Sequence, residues 1–177
     1  MTRKAYTKGF TLVELLVVIA IVVILAGALF LIINPANLLM KARDSKRVSE
    51  LTELNKALAL ALADNRITIT TTATLSSCGS GTSGFSSSGA AGNWVQFAVV
   101  VLVNGGLNNY LSALPKDPTN VAPNCYYYEG YAPTSAWELN AELQSADNDS
   151  VEQNDGGGGP NAATRFEIGT DQGLDLI

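Results

Sequence analysis

The chain has 177 residues, enough for one anchor helix and one modest domain, with 16 acidic against 11 basic residues and a net charge of −5. That balance has the wrong sign for a general nucleic-acid binder, so no direct nucleic-acid contact is expected. Histidine is absent, which removes the commonest general base and metal ligand, and the many serines crowd into a low-complexity stretch without a basic partner. Gly156, Gly157, Gly158 and Gly159 follow no strand and lack the Lys-Ser/Thr of a phosphate loop. Composition argues against an enzyme.

Three basic residues, Arg3, Lys4 and Lys8, open the chain, and after Gly9 it becomes apolar through residue 33. A helix over residues 10–33 is about 36 Å long at roughly 1.5 Å per residue and crosses a bilayer. Within it stands one carboxylate, Glu14, and no lysine, arginine or histidine. An ionised group near the membrane interior costs at least about 2.5 kcal/mol unless partnered, so Glu14 needs a cation. Cleavage after Gly9 supplies one as the α-amino group of Phe10. One helical turn is poor geometry for reaching the chain's own Glu14, whereas a neighbouring copy shifted along the axis brings its terminus beside that carboxylate. Two plainer readings compete: a secretory signal peptide, whose apolar region is usually only about 7 to 15 residues long, and a signal anchor whose Glu14 snorkels to the interface.

Lys8-Gly9-Phe10-Thr11-Leu12-Val13-Glu14-Leu15-Leu16 closely resembles the class III signal of type IV pilins and of their pseudopilin relatives in type II secretion and competence systems. The resemblance implies a leader at residues 1–9, cut by a prepilin peptidase between Gly9 and Phe10. It further implies N-methylation of Phe10 and a helix at 10–33 that serves first as membrane anchor and then as filament core. Glu14 would guide each subunit into a filament of identical copies on an inner-membrane assembly platform. The early basic residues favour a cytoplasmic N-terminus. The resemblance places the C-terminal domain outside, in an extracellular or periplasmic filament. The implied fold is α+β: a long N-terminal helix, hydrophobic then amphipathic, packed against a small antiparallel sheet. Within the family, a type IV pilin and a major pseudopilin both fit. From another class, a monomeric anchored binding module is the alternative.

Asn34-Pro35 interrupts the helical pattern, which predicts either a kink near residues 31–35 or a helix that restarts with Pro35 in its first turn. Beyond it Val48, Leu51, Leu54, Leu58, Ala61 and Leu62 recur at three- and four-residue spacing, an amphipathic continuation over 34–66 that ends near Asp64-Asn65. Its apolar stripe requires a cover from C-terminal residues. The basic group Lys41 to Arg47, with Asp44 inside it, reads as a solvated face or as a contact for lipid headgroups or acidic neighbours.

Residues 67–93 are rich in Ser, Thr and Gly and read as an exposed loop; with short helices to Leu114 they form a segment spanning 67–114. Trp94 to Val103 is apolar enough for a short buried helix or strand, and Leu107 to Leu114 for one helical turn that stops before Pro115. Cys78 and Cys125 are the only two cysteines, and an even pair in an exported chain is most simply one disulfide, with two free thiols as the alternative. Leu114-Pro115-Lys116-Asp117-Pro118 resembles an LPxDP segment that precedes the first strand in many pilins, and it opens a sheet region at 115–177. Cys125 to Tyr131, Trp137 to Leu143 and Arg165 to Ile168 have strand character, the first two as antiparallel neighbours joined at residues 132–135. Tyr126, Tyr128 and Trp137 are expected in the core. Between the second and third of these strands, Asp147, Asp149, Glu152 and Asp155 concentrate oxygen ligands of the kind calcium prefers. A solvated acidic loop fits the same residues. Val151 breaks the EF-hand pattern, and the resemblance to major pseudopilins, which carry calcium on an acidic loop late in the sheet, is what suggests the ion.

Overall fold

The computed structural model describes residues 9–32, 34–78, 88–89, 92–100, 106–153, 155–157, 164–171 and 173–177. The expected leader before Gly9, most of the Ser/Gly loop, the end of the 94–103 segment and Gly158 and Gly159 lie outside the described residues. Two units divide the chain, Met1–Leu38 and Leu39–Ile177.

The first unit is built on α1 (Leu12–Ile32), whose stretch Leu12–Leu29 is long and apolar enough to cross a membrane and is unburied throughout. The second helix, α2 (Pro35–Ala63), begins in this unit. Of the two expectations for Asn34-Pro35, the structure has the restart. Pro35 occupies the first helical position, where its missing N–H costs nothing. Asn34 caps the new helix by accepting from Ala36 N (3.1 Å) and Asn37 N (3.4 Å) through its side-chain oxygen.

In the second unit α2 ends in a Schellman turn. Asn65 takes the left-handed conformation (φ 53°), Arg66 N donates to Ala61 O (2.9 Å) and Asn65 N to Leu62 O (3.0 Å). The apolar stripe of α2 buries Leu51, Leu54, Ala57, Leu58 and Ala61. It is covered by a four-stranded antiparallel sheet in the order β2 (Leu75–Ser76), β4 (Tyr126–Tyr131), β5 (Ala136–Ala141), β6 (Phe166–Gly169). β1 (Ile67–Ile69) and β3 (Phe97–Val99) form a separate antiparallel pair. This is the expected α+β arrangement of a long helix on a small antiparallel sheet. Residues 132–134 make a 3-10 turn closed by Ser135 (φ 55°), joining β4 to β5.

The reading of 67–93 as an exposed loop is corrected at its start: Ile67 and Ile69 are buried in β1, and Leu75 pairs with Tyr128 in β2. Threonine-rich composition hid two strands because Thr is itself β-branched and a short edge pairs well with little apolar content. Gly130 is needed where this segment crosses β4. Thr72 N donates to Gly130 O (3.0 Å), and a Cβ on Gly130 would sit 2.6 Å from Thr70 O. Leu107 to Leu111 closes one helical turn, Leu111 N donating to Leu107 O (2.7 Å).

Strand alternation gives the sheet two unlike faces. Tyr126, Tyr128, Trp137, Leu139, Ala141 and Phe166 join the core with α2, and each buried aromatic polar atom has a partner. Trp137 Nε1 donates to Asn55 Oδ1 (2.9 Å), Tyr126 OH to Glu50 Oε2 (2.5 Å), Tyr128 OH to Gln96 O (2.9 Å) and Trp94 Nε1 to Pro115 O (3.1 Å). Register sends Tyr127, Glu129, Glu138, Asn140 and Glu167 to the other face.

The expected solvated basic face is corrected at Arg47, which is fully buried. Its guanidinium forks onto Asp117 through Nε (2.6 Å) and Nη2 (3.1 Å), and Nη1 reaches Asp44 Oδ1 (2.8 Å). Asp117 Oδ1 also accepts from Thr119 N (2.7 Å), Thr119 Oγ1 (2.6 Å) and Asn120 N (3.0 Å), which shapes the turn after Pro115. Asp44 accepts in addition from Gln144 N (2.8 Å), Ser145 N (2.9 Å) and Asn148 Nδ2 (2.9 Å). Burial alone would raise the Asp117 carboxyl; hydrogen bonds from Arg47, Thr119 and Asn120 outweigh it and hold it below the usual carboxylate range.

Removing one partner strands a buried charge, so Arg47→Leu should destabilise the full chain by about 3 to 5 kcal/mol in urea titrations in detergent. Because the Asp117 carboxyl is depressed on folding, its contribution is complete above the unfolded value of about 3.9 and is lost as pH falls through the lower folded value. Asp117→Asn should therefore flatten the acid limb of the stability profile, measured as the denaturation midpoint between about pH 5 and pH 2.

Cys78 and Cys125 are joined in a disulfide that ties β2 to the start of β4 across 47 positions of sequence. Ser77 flanks it, its N donating to Tyr126 O (2.9 Å) and its Oγ accepting from Tyr126 N (3.0 Å). Closing a loop of that length restrains the unfolded chain by about 3 to 4 kcal/mol. Reductant should lower the wild-type unfolding free energy by that amount in urea titrations in detergent and leave a Cys78→Ser/Cys125→Ser variant unmoved.

Candidate functional site

Gly9 and Phe10 precede α1 and are exposed, with Phe10 86% accessible. Thr11 and Glu14 form a reciprocal cap at the helix start. Glu14 Oε2 accepts from Thr11 N (2.8 Å) and Thr11 Oγ1 (2.9 Å), while Thr11 Oγ1 accepts from Glu14 N (3.3 Å). The Thr11-x-x-Glu14 spacing is the sequence signal for this cap. It gives the carboxylate hydrogen bonds within its own chain but no counter-charge, and leaves the helix sides as bare aliphatic surface.

The other expected site residues are not gathered together. Asp147 pairs with Lys41 Nζ (2.7 Å) on α2. Asp149 heads the short helix α3 (Asp149–Gln153) and is exposed. Glu152 turns inward, accepts from Leu143 N (2.8 Å), and has its carboxyl raised by burial. Asp155 lies beyond α3 and accepts from Gly157 N (2.9 Å) and Glu167 N (2.7 Å). Among the described residues no group of three or more acidic or cysteine side chains is arranged to hold a metal. The acidic run does not close into a cage because α3 sends its side chains in different directions and two of the four carboxylates already serve as structural acceptors.

Two buried acids on the outer sheet face were missed from the sequence, since strand residues 138 and 167 read there only as polar positions of an alternating pattern. Glu138 Oε2 accepts from Leu176 N (2.9 Å) and Ile177 N (3.2 Å), holding the C-terminus across the sheet, and burial raises its carboxyl. Burial, then the charges of Glu138 and Asp155, push the Glu167 carboxyl up to about 7. Neither Glu167 oxygen has a hydrogen-bond partner.

A capped, unburied apolar helix of this length and composition is consistent with a membrane-anchored precursor. No curated protein and no solved structure matches the chain. Residues 4–30 match the prokaryotic N-terminal methylation motif, a mark of a structural protein. The N-terminus thus carries the motif that marks a type IV pilin-like class III signal sequence.

Proposed function

We propose that the chain is the precursor of a structural subunit of a type IV pilus-like filament, cut by prepilin peptidase after Gly9, N-methylated on Phe10 and assembled through α1. The observation that carries this reading is the unburied apolar surface of Leu12–Leu29 with Glu14 at its start. The Leu39–Ile177 unit has a buried core of its own, so the aliphatic surface of α1 is left for lipid before assembly and for the helices of other copies afterwards. Lateral packing supplies cohesion. Pairing of Glu14 with the α-ammonium of a neighbouring Phe10 removes both charges from a low-dielectric setting and sets the axial register. A major pseudopilin would use the same chemistry inside a different machine.

Mass spectrometry of material sheared from cells should find a mature chain beginning at N-methylated Phe10. An uncut chain confined to the membrane fraction would sink the proposal. Glu14→Ala should abolish incorporation into filaments, whereas Thr11→Ala, which removes the cap and keeps the carboxylate, should retain it. Equal loss in both variants would assign Glu14 to helix capping alone.

A further inference from the structure

Charge is spread unevenly along the chain after the apolar helix. Residues 50–177 hold fourteen acids against four cations, whereas residues 39–49 hold Lys41, Arg43, Lys46 and Arg47 against Asp44 alone. Folding buries Arg47 and Asp44 together. Lys41 leans across to Asp147 (2.7 Å). Two cations remain outward. Arg43 is exposed and has no acidic partner among the described residues, and the Lys46 side chain is 56% exposed with only Glu50 near it, at 3.5 Å. An exposed pair of that kind is worth little and is easily exchanged.

Leu39, Ala42, Arg43 and Lys46 stand at i, i+3, i+4 and i+7, so they share one face of α2. All four are exposed, Leu39 to 60%, while Asp44, Arg47 and Leu51 turn the other way into the core. A stripe meant only for water gains nothing from Leu39, and neither does a purely ionic contact with an acidic protein surface. A phospholipid headgroup layer takes both kinds of side chain, the leucine at the acyl boundary and the long cationic stems reaching phosphate. Such a layer is within reach, because Leu39 follows Ile32, the last residue of α1, by no more than about 16 Å of chain. The acids elsewhere do not cancel the attraction, since charges beyond about 8 Å are largely screened at physiological salt.

We propose that the α2 face formed by Leu39, Ala42, Arg43 and Lys46 docks on an anionic phospholipid surface while the chain is membrane-anchored. The inference rests on the membrane-anchor part of the reading above and gives a partner to a surface which that reading leaves unassigned. Leu39 supplies apolar burial, and Arg43 and Lys46 supply phosphate contacts. The start of α2 is thereby held at the headgroup layer, and transfer into a filament requires these lipid contacts to be given up.

The test titrates a short-chain phosphatidylglycerol into the full-length chain in zwitterionic phosphocholine micelles and follows backbone amide NMR shifts. Short-chain phosphatidylcholine and inorganic phosphate are titrated in parallel. The wild type should show saturable shifts centred on Leu39 to Lys46 with phosphatidylglycerol and none with the other two. One cation near an anionic surface is worth about fivefold in affinity, so Arg43→Gln/Lys46→Gln should raise the half-saturating concentration about 25-fold. Leu39→Ser should raise it as well, while Lys56→Gln, which removes an exposed cation elsewhere on α2, should leave it unchanged. Absence of these shifts in a chain whose residues 12–29 are embedded in the micelle would overturn the inference and leave the filament reading standing. A chain that stays outside the micelle would overturn both. Equal shifts with inorganic phosphate would assign the face to a free anion, and shifts that follow protein concentration rather than lipid would assign it to a second copy. Equal weakening by Lys56→Gln would reduce it to diffuse attraction, and each of these three results overturns the proposal.

Discussion

The second unit is organised around a guanidinium taken out of water. Arg47 rises from α2 into a site walled by Asp44 and Asp117, and through those two carboxylates it fixes two stretches remote in sequence, the turn at 117–120 and the turn at 144–148. Desolvating an ion pair consumes much of what its attraction returns, so the network adds less to net stability than its many short contacts suggest. Its consequence is geometric. A helix stripe of leucines and alanines can accept a sheet in several registers, because aliphatic packing is tolerant. A forked cation with two carboxylate partners accepts only one.

The sheet then separates two kinds of chemistry by strand alternation alone. Its inner face is aromatic and every buried tip is paired. Its outer face carries glutamates at positions 138 and 167, covered by the C-terminus and by the segment after α3. One face closes the fold and the other buries the carboxyls of Glu138 and Glu167.

Sequence patterns made the helices and main strands legible because both rest on local periodicity. Leucine spacing located the stripe of α2, and aromatic alternation located β4, β5 and β6 to within about two residues. The signal at residues 8–16 was legible because a lone carboxylate in a long apolar run has few physical explanations. What stayed hidden depends on pairing across long sequence separations. Arg47 looked like one more solvated cation because its partner Asp117 lies 70 residues away. Ile67 and Ile69 looked like loop because their neighbour β3 follows the Ser/Gly stretch. The acidic run from Asp147 looked like a metal loop because composition counts oxygens and says nothing of direction, while Glu167, with two unpaired oxygens, is a single letter in a strand.

The cap at Asn34 determines how far disorder can spread. A continuous helix frays cooperatively, since each lost turn removes hydrogen-bond partners from the next. Here Pro35 has no N–H to lose, and Asn34 gives the next two donors their acceptor from its own side chain. Unwinding that begins in α1, whether by stretching or by transfer between lipid and protein surroundings, therefore meets a helix whose first turn is already satisfied. The junction is a firebreak: α1 can melt and re-form without drawing on the hydrogen bonds that keep α2 in register with its sheet.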